Sequence, residues 1–216
     1  MTRSNRFSVL AIAIIAAIVV IGSSAFVVVR TSSQHSNVDS PGAVDIGFSQ
    51  DMAVHHEQAI LMANLALSQG GPAVRAISTT ILVNQSQEIG LTRGWLKLWH
   101  EPAVDPHPMQ WMTPAMASHS MTDGPMPESS PMPGMASPDE LNALYQLSGK
   151  KFDVQFLRLM IRHHLGGIGM AKAAMDHADI KVVRQAASSM IVEQVEDLGT
   201  MRALLTYDGG TELPAP

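Results

Sequence analysis

The feature that most constrains this chain is that it repeats itself. Residues 45–66, DIGFSQDMAVHHEQAILMANLA, return at 153–174 as DVQFLRLMIRHHLGGIGMAKAA. At an offset of 108, Asp45/Asp153, Phe48/Phe156, Met52/Met160, His55/His163, His56/His164, Met62/Met170, Ala63/Ala171 and Ala66/Ala174 coincide. Within the first copy Phe48, Met52, His55, Ala59, Met62 and Ala66 are spaced 4, 3, 4, 3, 4, the seam of one helix face. The second copy has the same seam in Phe156, Met160, His163, Gly167, Met170 and Ala174. The stretches that follow also match, now at an offset of 109: Val83/Val192, Gln85/Gln194, Glu88/Asp197, Ile89/Leu198 and Arg93/Arg202. The repeating unit is therefore a helical hairpin. Two hairpins supply four amphipathic helices that can bury their seams against one another. The expected fold is all-α, a four-helix bundle made of two repeated helical hairpins. Aromatic residues at 5% suit packed helices better than sheets.

The boundaries follow from caps and breakers. Ser40 is a candidate N-cap with Pro41 at the first helical position. Gly70-Gly71-Pro72 ends the first helix, and a second is expected from about Ala73 to His100, with Ile77, Ile81, Ile89, Leu96 and Trp99 as apolar positions. Ser137-Pro138-Asp139-Glu140 reads as a helix start, giving a short helix Glu140–Leu147 that stops at Gly149. Long helices are then expected over Lys151–His177 and Ile180–Tyr207. The expected organisation is a leader at 1–30, a polar tether at 31–40, a bundle at 41–207 (hairpins 41–100 and 139–207 flanking a loop at 101–138) and a tail at 208–216.

Phe7–Val29 runs 23 residues without a charge after Arg3 and Arg6. That length can span a bilayer core, and the basic flank places the rest outside the cytoplasm. The expectation is an N-terminal transmembrane helix that anchors an extracytoplasmic domain. The alternative is a signal peptide cleaved near Ser23-Ser24-Ala25, leaving a secreted protein. Residues 31–216 hold 11 Lys and Arg against 19 Asp and Glu, a formal charge of −8. Such an acidic surface excludes nucleic acid as a partner, because phosphate contacts need Lys and Arg.

Residues 101–138 hold 9 of the 13 prolines and 7 of the 15 methionines. Proline forbids a regular helix there, and a connection of that length is usually functional or disordered. Met109, Met112, Met116 and Met121, with His119 among them, have no helix seam to fill and read as thioether ligands for a soft ion.

Met52, His55, His56 and Met62 form one stripe, and Met160, His163, His164 and Met170 form the other. A single such His is usually a core residue, and Met usually fills core gaps. Repetition shifts the balance, because four imidazoles buried without partners would be costly. Imidazole with thioether, and no cysteine anywhere in the chain, suits copper, Cu(I) ahead of Cu(II), and suits zinc less. Asp45 and Asp153 are read as helix-start caps or ion-pair partners, with orientation of an imidazole of the opposite hairpin as the alternative. Gln85/Gln194 and Glu88/Asp197 are read as polar inter-helix contacts, with support of the imidazoles as the weaker option. Gly166, Gly167 and Gly169 would let helices approach closely.

The motif Asp-x-x-Phe-x-x-x-Met-x-x-His-His, followed by Met-Ala and repeated once, resembles the domain of unknown function 305 family over about residues 42–207. The resemblance implies a ferritin-like four-helix bundle, often exported, with some members tied to copper binding and tolerance. It points to Met52, His55, His56, Met62, Met160, His163, His164 and Met170. The functional expectation is an extracytoplasmic copper-binding protein for sequestration, tolerance or transfer. Its partners would be the metal ion, the membrane through the N-terminal helix, and a second copy or a copper-transfer protein. A b-type haem bundle and a structural membrane-associated domain are the alternatives. An enzyme is not expected, since a di-iron oxidase needs Glu-x-x-His pairs and the chain contains none.

Overall fold

Each seam becomes the buried face of a long helix. The structure, a computed structural model, describes residues 40–112 and 132–216. Five helices follow in order: α1 (Ala43–Gln69), α2 (Pro72–Trp99), α3 (Pro138–Tyr145), α4 (Gly149–His177) and α5 (Lys181–Tyr207). No strand occurs among the described residues. All six seam positions of α1 and all six of α4 are buried. On α2, Ile77, Ile81 and Leu96 are buried as expected, but Ile89 and Trp99 are only half-buried and Trp95 takes the core place. Val83 and Val192, though repeated in sequence, are both exposed.

The helix ends differ from expectation by at most two residues. Gly42, not Ser40, is the N-cap of α1, and its N–H donates to Asp45 Oδ2 at 2.8 Å. The short helix begins earlier, at Pro138, because Ser137 and Glu140 cap each other: Ser137 N–H donates to Glu140 Oε2 and Glu140 N–H donates to Ser137 Oγ. Gly149 opens α4 instead of closing the short helix. Ile180 is the N-cap of α5, which begins at Lys181.

α1 packs on α2, α4 packs on α5, and the hairpins meet through α1 against α4 and α2 against α5. Two aspartates fix the direction of that meeting. Asp45, fully buried at the start of α1, accepts from the backbone N–H groups of Asp179 (3.2 Å) and Ile180 (3.0 Å), where α5 begins. Asp153, at the start of α4, accepts from Gly71 N–H (2.8 Å), where α2 begins. Each hairpin's first helix therefore caps the second helix of the other, so α1 and α4 run antiparallel. This settles the role of both residues as caps. Asp45→Ala is expected to cost about 2–4 kcal/mol by leaving buried donors without an acceptor, against about 1 kcal/mol for Asp153→Ala as a single lost cap. Urea unfolding midpoints check the order, and equal losses would contradict it.

The antiparallel crossing leaves two apolar clusters with the histidine pairs between them. One gathers Met62, Met160, Phe152, Phe156 and Met201. The other gathers Met52, Met170, Phe48, Met190 and Trp95 with loop residues Met109, Trp111, Met112 and Met132. Among the described residues no helix is long and apolar enough to cross a membrane. The expected anchor at 1–30 and most of the tether lie outside the described residues.

Candidate functional site

His55 on α1 and His163 on α4 meet where the two helices cross. Their ring centroids are 3.8 Å apart with planes 34° apart. His56 and His164, one position on, turn toward the second helices. His164 Nε2 lies 3.2 Å from Asp197 Oδ2 on α5, and His56 Nε2 lies 2.7 Å from Glu88 Oε2 on α2. The carboxylates that repeat on the second helices thus make polar contacts between helices, as expected, and their partners there are imidazoles.

All four imidazoles are at most 1% exposed. Burial holds His55 and His56 down to about 3, and holds His163 well below its ordinary value. The neighbouring imidazoles push the same way: His56 acts on His55, His164 on His56, and His55 on His163. Burial raises the Glu88 carboxyl to about 7, against the lowering effect of His164. The His56–Glu88 contact has the length of an ion pair, but both groups are shifted away from their charged forms and the contact is off the line of a hydrogen bond. It is therefore a contact between largely neutral groups.

The second partners fix which ring nitrogen carries the proton. A backbone carbonyl can only accept, so His55 Nε2–H donates to Pro133 O (3.1 Å) and His163 Nε2–H donates to His55 O (3.1 Å). His164 Nε2–H is directed at Asp197 in the same way. In every one of the four rings Nδ1 has no hydrogen-bond partner. A neutral imidazole with Nε2–H tied to an oxygen and Nδ1 bare is arranged as a metal ligand.

The loop strands close over this crossing. Gln50 Nε2 donates to Pro102 O (2.8 Å). Buried Asp51 accepts from Met109 N–H (2.6 Å) and Trp111 Nε1–H (2.8 Å), and burial raises its carboxyl above the ordinary value. Gln58 brackets Ala136, donating to its carbonyl (2.9 Å) and accepting from its N–H (2.7 Å). Together with His55, these side chains make α1 the anchor of both loop ends. Gly166, which stands where the first copy has Gln58, leaves room for the Pro133 carbonyl, and Gly134 at φ +79° passes against the Arg162 carbonyl. Gly166 thus admits the loop rather than a neighbouring helix, as the sequence suggested. Gly167 borders Gln194 of α5 and His55, and Gly169 meets nothing within 4 Å.

The eight stripe residues do not form one cluster. Because α1 and α4 run antiparallel, Met52 shares an apolar cluster with Met170, and Met62 shares the other with Met160. Met109 and Met112 join Met52 and Met170, so these loop thioethers do occupy core. Met116, His119 and Met121 lie outside the described residues. Among the described residues no three His, Asp or Glu side chains converge as a ready metal cluster. Sequence reasoning missed Gln50, Asp51, Gln58 and the Pro133 carbonyl. The available signal was the mismatch between copies, where these three positions become Arg158, Leu159 and Gly166.

The profile of the family described as domain of unknown function (DUF305) matches residues 45–205. This chain belongs to the DUF305 family. Among solved structures it is similar to a "putative secreted protein DUF305" from Streptomyces coelicolor, with 33% identity over 79% of this chain and 96% of that one, at a TM-score of 0.68. It is also similar to a DUF305 fragment from Deinococcus radiodurans, with 28% identity over 77% of this chain and 98% of that one, at a TM-score of 0.62. CopM in its Cu(I)-bound form shares the fold at 22% identity and a TM-score of 0.56, over 76% of this chain and 96% of its own. CopM structures also exist in Cu(II)-bound, Ag-bound and apo forms. No curated protein matches the chain.

Proposed function

We propose that this DUF305 protein binds copper outside the cytoplasm, as cargo to be sequestered or passed on, without catalysing a reaction. The observation that carries the reading is the set of four buried imidazoles whose Nδ1 atoms have no partner, with His55, His56 and His163 held toward the neutral form. A bare, unprotonated ring nitrogen needs no proton loss before it binds a metal. Orphaned polar atoms in a core are otherwise costly, and a bound ion removes that cost.

Thioethers beside the imidazoles favour Cu(I). Met52, Met170, Met109 and Met112 lie at one end of the crossing and Met62 and Met160 at the other, so each end offers sulfur. His55, His163, His56 and His164 would hold the ion, with the Pro133 carbonyl orienting His55 and Asp197 orienting His164. CopM, a neighbour of the same fold, is known with Cu(I) and Cu(II) bound, which supports copper over zinc. The extracytoplasmic part of the reading rests on the apolar run Phe7–Val29, and the Streptomyces neighbour's description as secreted supports it. A haem reading loses support at the helix crossing, because rings stacked at 3.8 Å leave no room for a porphyrin between them.

The test is titration of the purified protein with Cu(I) against a competing chromophoric chelator, with Zn(II) as control. Tight uptake of Cu(I) and weak uptake of zinc is expected. Uptake of neither ion would reject the reading.

A further inference from the structure

Gln194 on α5 is 3% exposed, and neither its amide oxygen nor its amide nitrogen has a partner. It packs against Gly167 of α4, where any side chain would collide with it. A Cβ at Gly167 would sit 2.6 Å from Gln194 Oε1, 3.2 Å from Gln194 Nε2 and 3.2 Å from His55 Cε1. The amide and the edge of the His55 ring therefore border the same space. Cε1 is bonded to Nδ1, the ring nitrogen left bare when Nε2–H is tied to Pro133. The repeat equivalent of Gln194 is Gln85 on α2, also 3% exposed and with an unpartnered amide oxygen, but where α4 has Gly167, α1 has Ala59, fully buried.

We infer that Gln194 is a donor to the ion held at His55, its amide oxygen completing a nitrogen–oxygen site that Gly167 keeps open. This rests on the copper reading above and deepens it. An amide oxygen is a harder ligand than a thioether, so it favours Cu(II) over Cu(I). The His55 site then holds the oxidised ion better than imidazole and thioether alone would. Gln194 sets the ratio of the two affinities.

The experiment compares the full-length protein with Gln194→Leu, Gln194→Glu and Gly167→Ala, each checked for native helicity by circular dichroism. Cu(I) affinity is read by chelator competition, and Cu(II) by competition together with its electron paramagnetic resonance spectrum. Gln194→Leu is expected to lower Cu(II) affinity about tenfold or more and change the hyperfine splitting, the scale seen when a supporting group at a metal site is removed. Cu(I) affinity should stay within about twofold, since the thioether and imidazole ligands are untouched. Gly167→Ala should act in the same direction by displacing the Gln194 amide, and Gln194→Glu, which keeps an oxygen, should retain Cu(II). An unchanged Cu(II) spectrum and affinity in Gln194→Leu, or an equal loss of both ions, overturns the inference while leaving copper binding intact. Failure of the unaltered protein to bind either ion rejects the copper reading, and this inference with it.

Discussion

Acidification from pH 7 to pH 5 is expected to remove much of the bundle's stability, well before ordinary carboxylates protonate. Burial holds His55 and His56 down to about 3 in the folded chain and His163 well below its ordinary value, against 6.5 when unfolded. Below pH 6.5 the unfolded chain takes up protons that the folded one refuses. Stability from these groups is therefore complete above 6.5 and is lost as pH falls toward 3, at about 1.4 kcal/mol per pH unit for each imidazole. Glu88 opposes this. Its folded value of about 7 lies above the ordinary 4.5, so the folded state holds the extra proton between those limits and gains stability as pH falls through them. Asp51 and Glu193, also raised by burial, add to the offset at the acid end. Three imidazoles against one carboxyl leave a net loss of about 4 kcal/mol from pH 6.5 to 5, a large part of the 5–15 kcal/mol that holds a typical domain. Thermal unfolding followed by circular dichroism should show Tm falling by about 10 °C across that interval. A flat Tm from pH 7.5 to 5 would mean that the imidazoles are not held neutral in the core.

The fold was legible because the chain carries its own comparison. Coincidences at one offset and further matches at the next marked the hairpin, and the seams they defined are the buried faces of α1 and α4. The direction of meeting was not legible. Parallel and antiparallel crossings bury the same stripe, so the pairing of Met52 with Met170 needed the Asp45 and Asp153 caps to be seen in place. Glu88 and Asp197 were visible as a repeat, but a polar contact between helices and a carboxylate behind an imidazole leave the same trace in sequence. The loop anchors were invisible for a different reason. Gln50 and Gln58 bind backbone atoms of Pro102 and Ala136, and His55 binds the Pro133 carbonyl, and a backbone partner has no signature in side-chain pattern. Gln50 and Gln58 also fall at positions where the two copies differ, which is where a repeat-based reading looks least.

The central claim is that these histidines are ligands and not core filler. His55 and His163 are the sharpest place to ask, because their rings stack at the crossing with both Nδ1 atoms bare. Replacing both by alanine removes two nitrogen ligands while leaving the apolar clusters on either side in place. Loss of a group that merely supports a ligand costs 10–100-fold in metal affinity, so loss of two ligands should cost about a hundredfold or more. The decisive measurement is Cu(I) competition titration of His55→Ala/His163→Ala beside the unaltered protein, with helicity verified first. Weakening by about a hundredfold or more in a folded variant is the result this account predicts. Undiminished Cu(I) affinity in a folded variant would contradict it and return the histidine pair to packing.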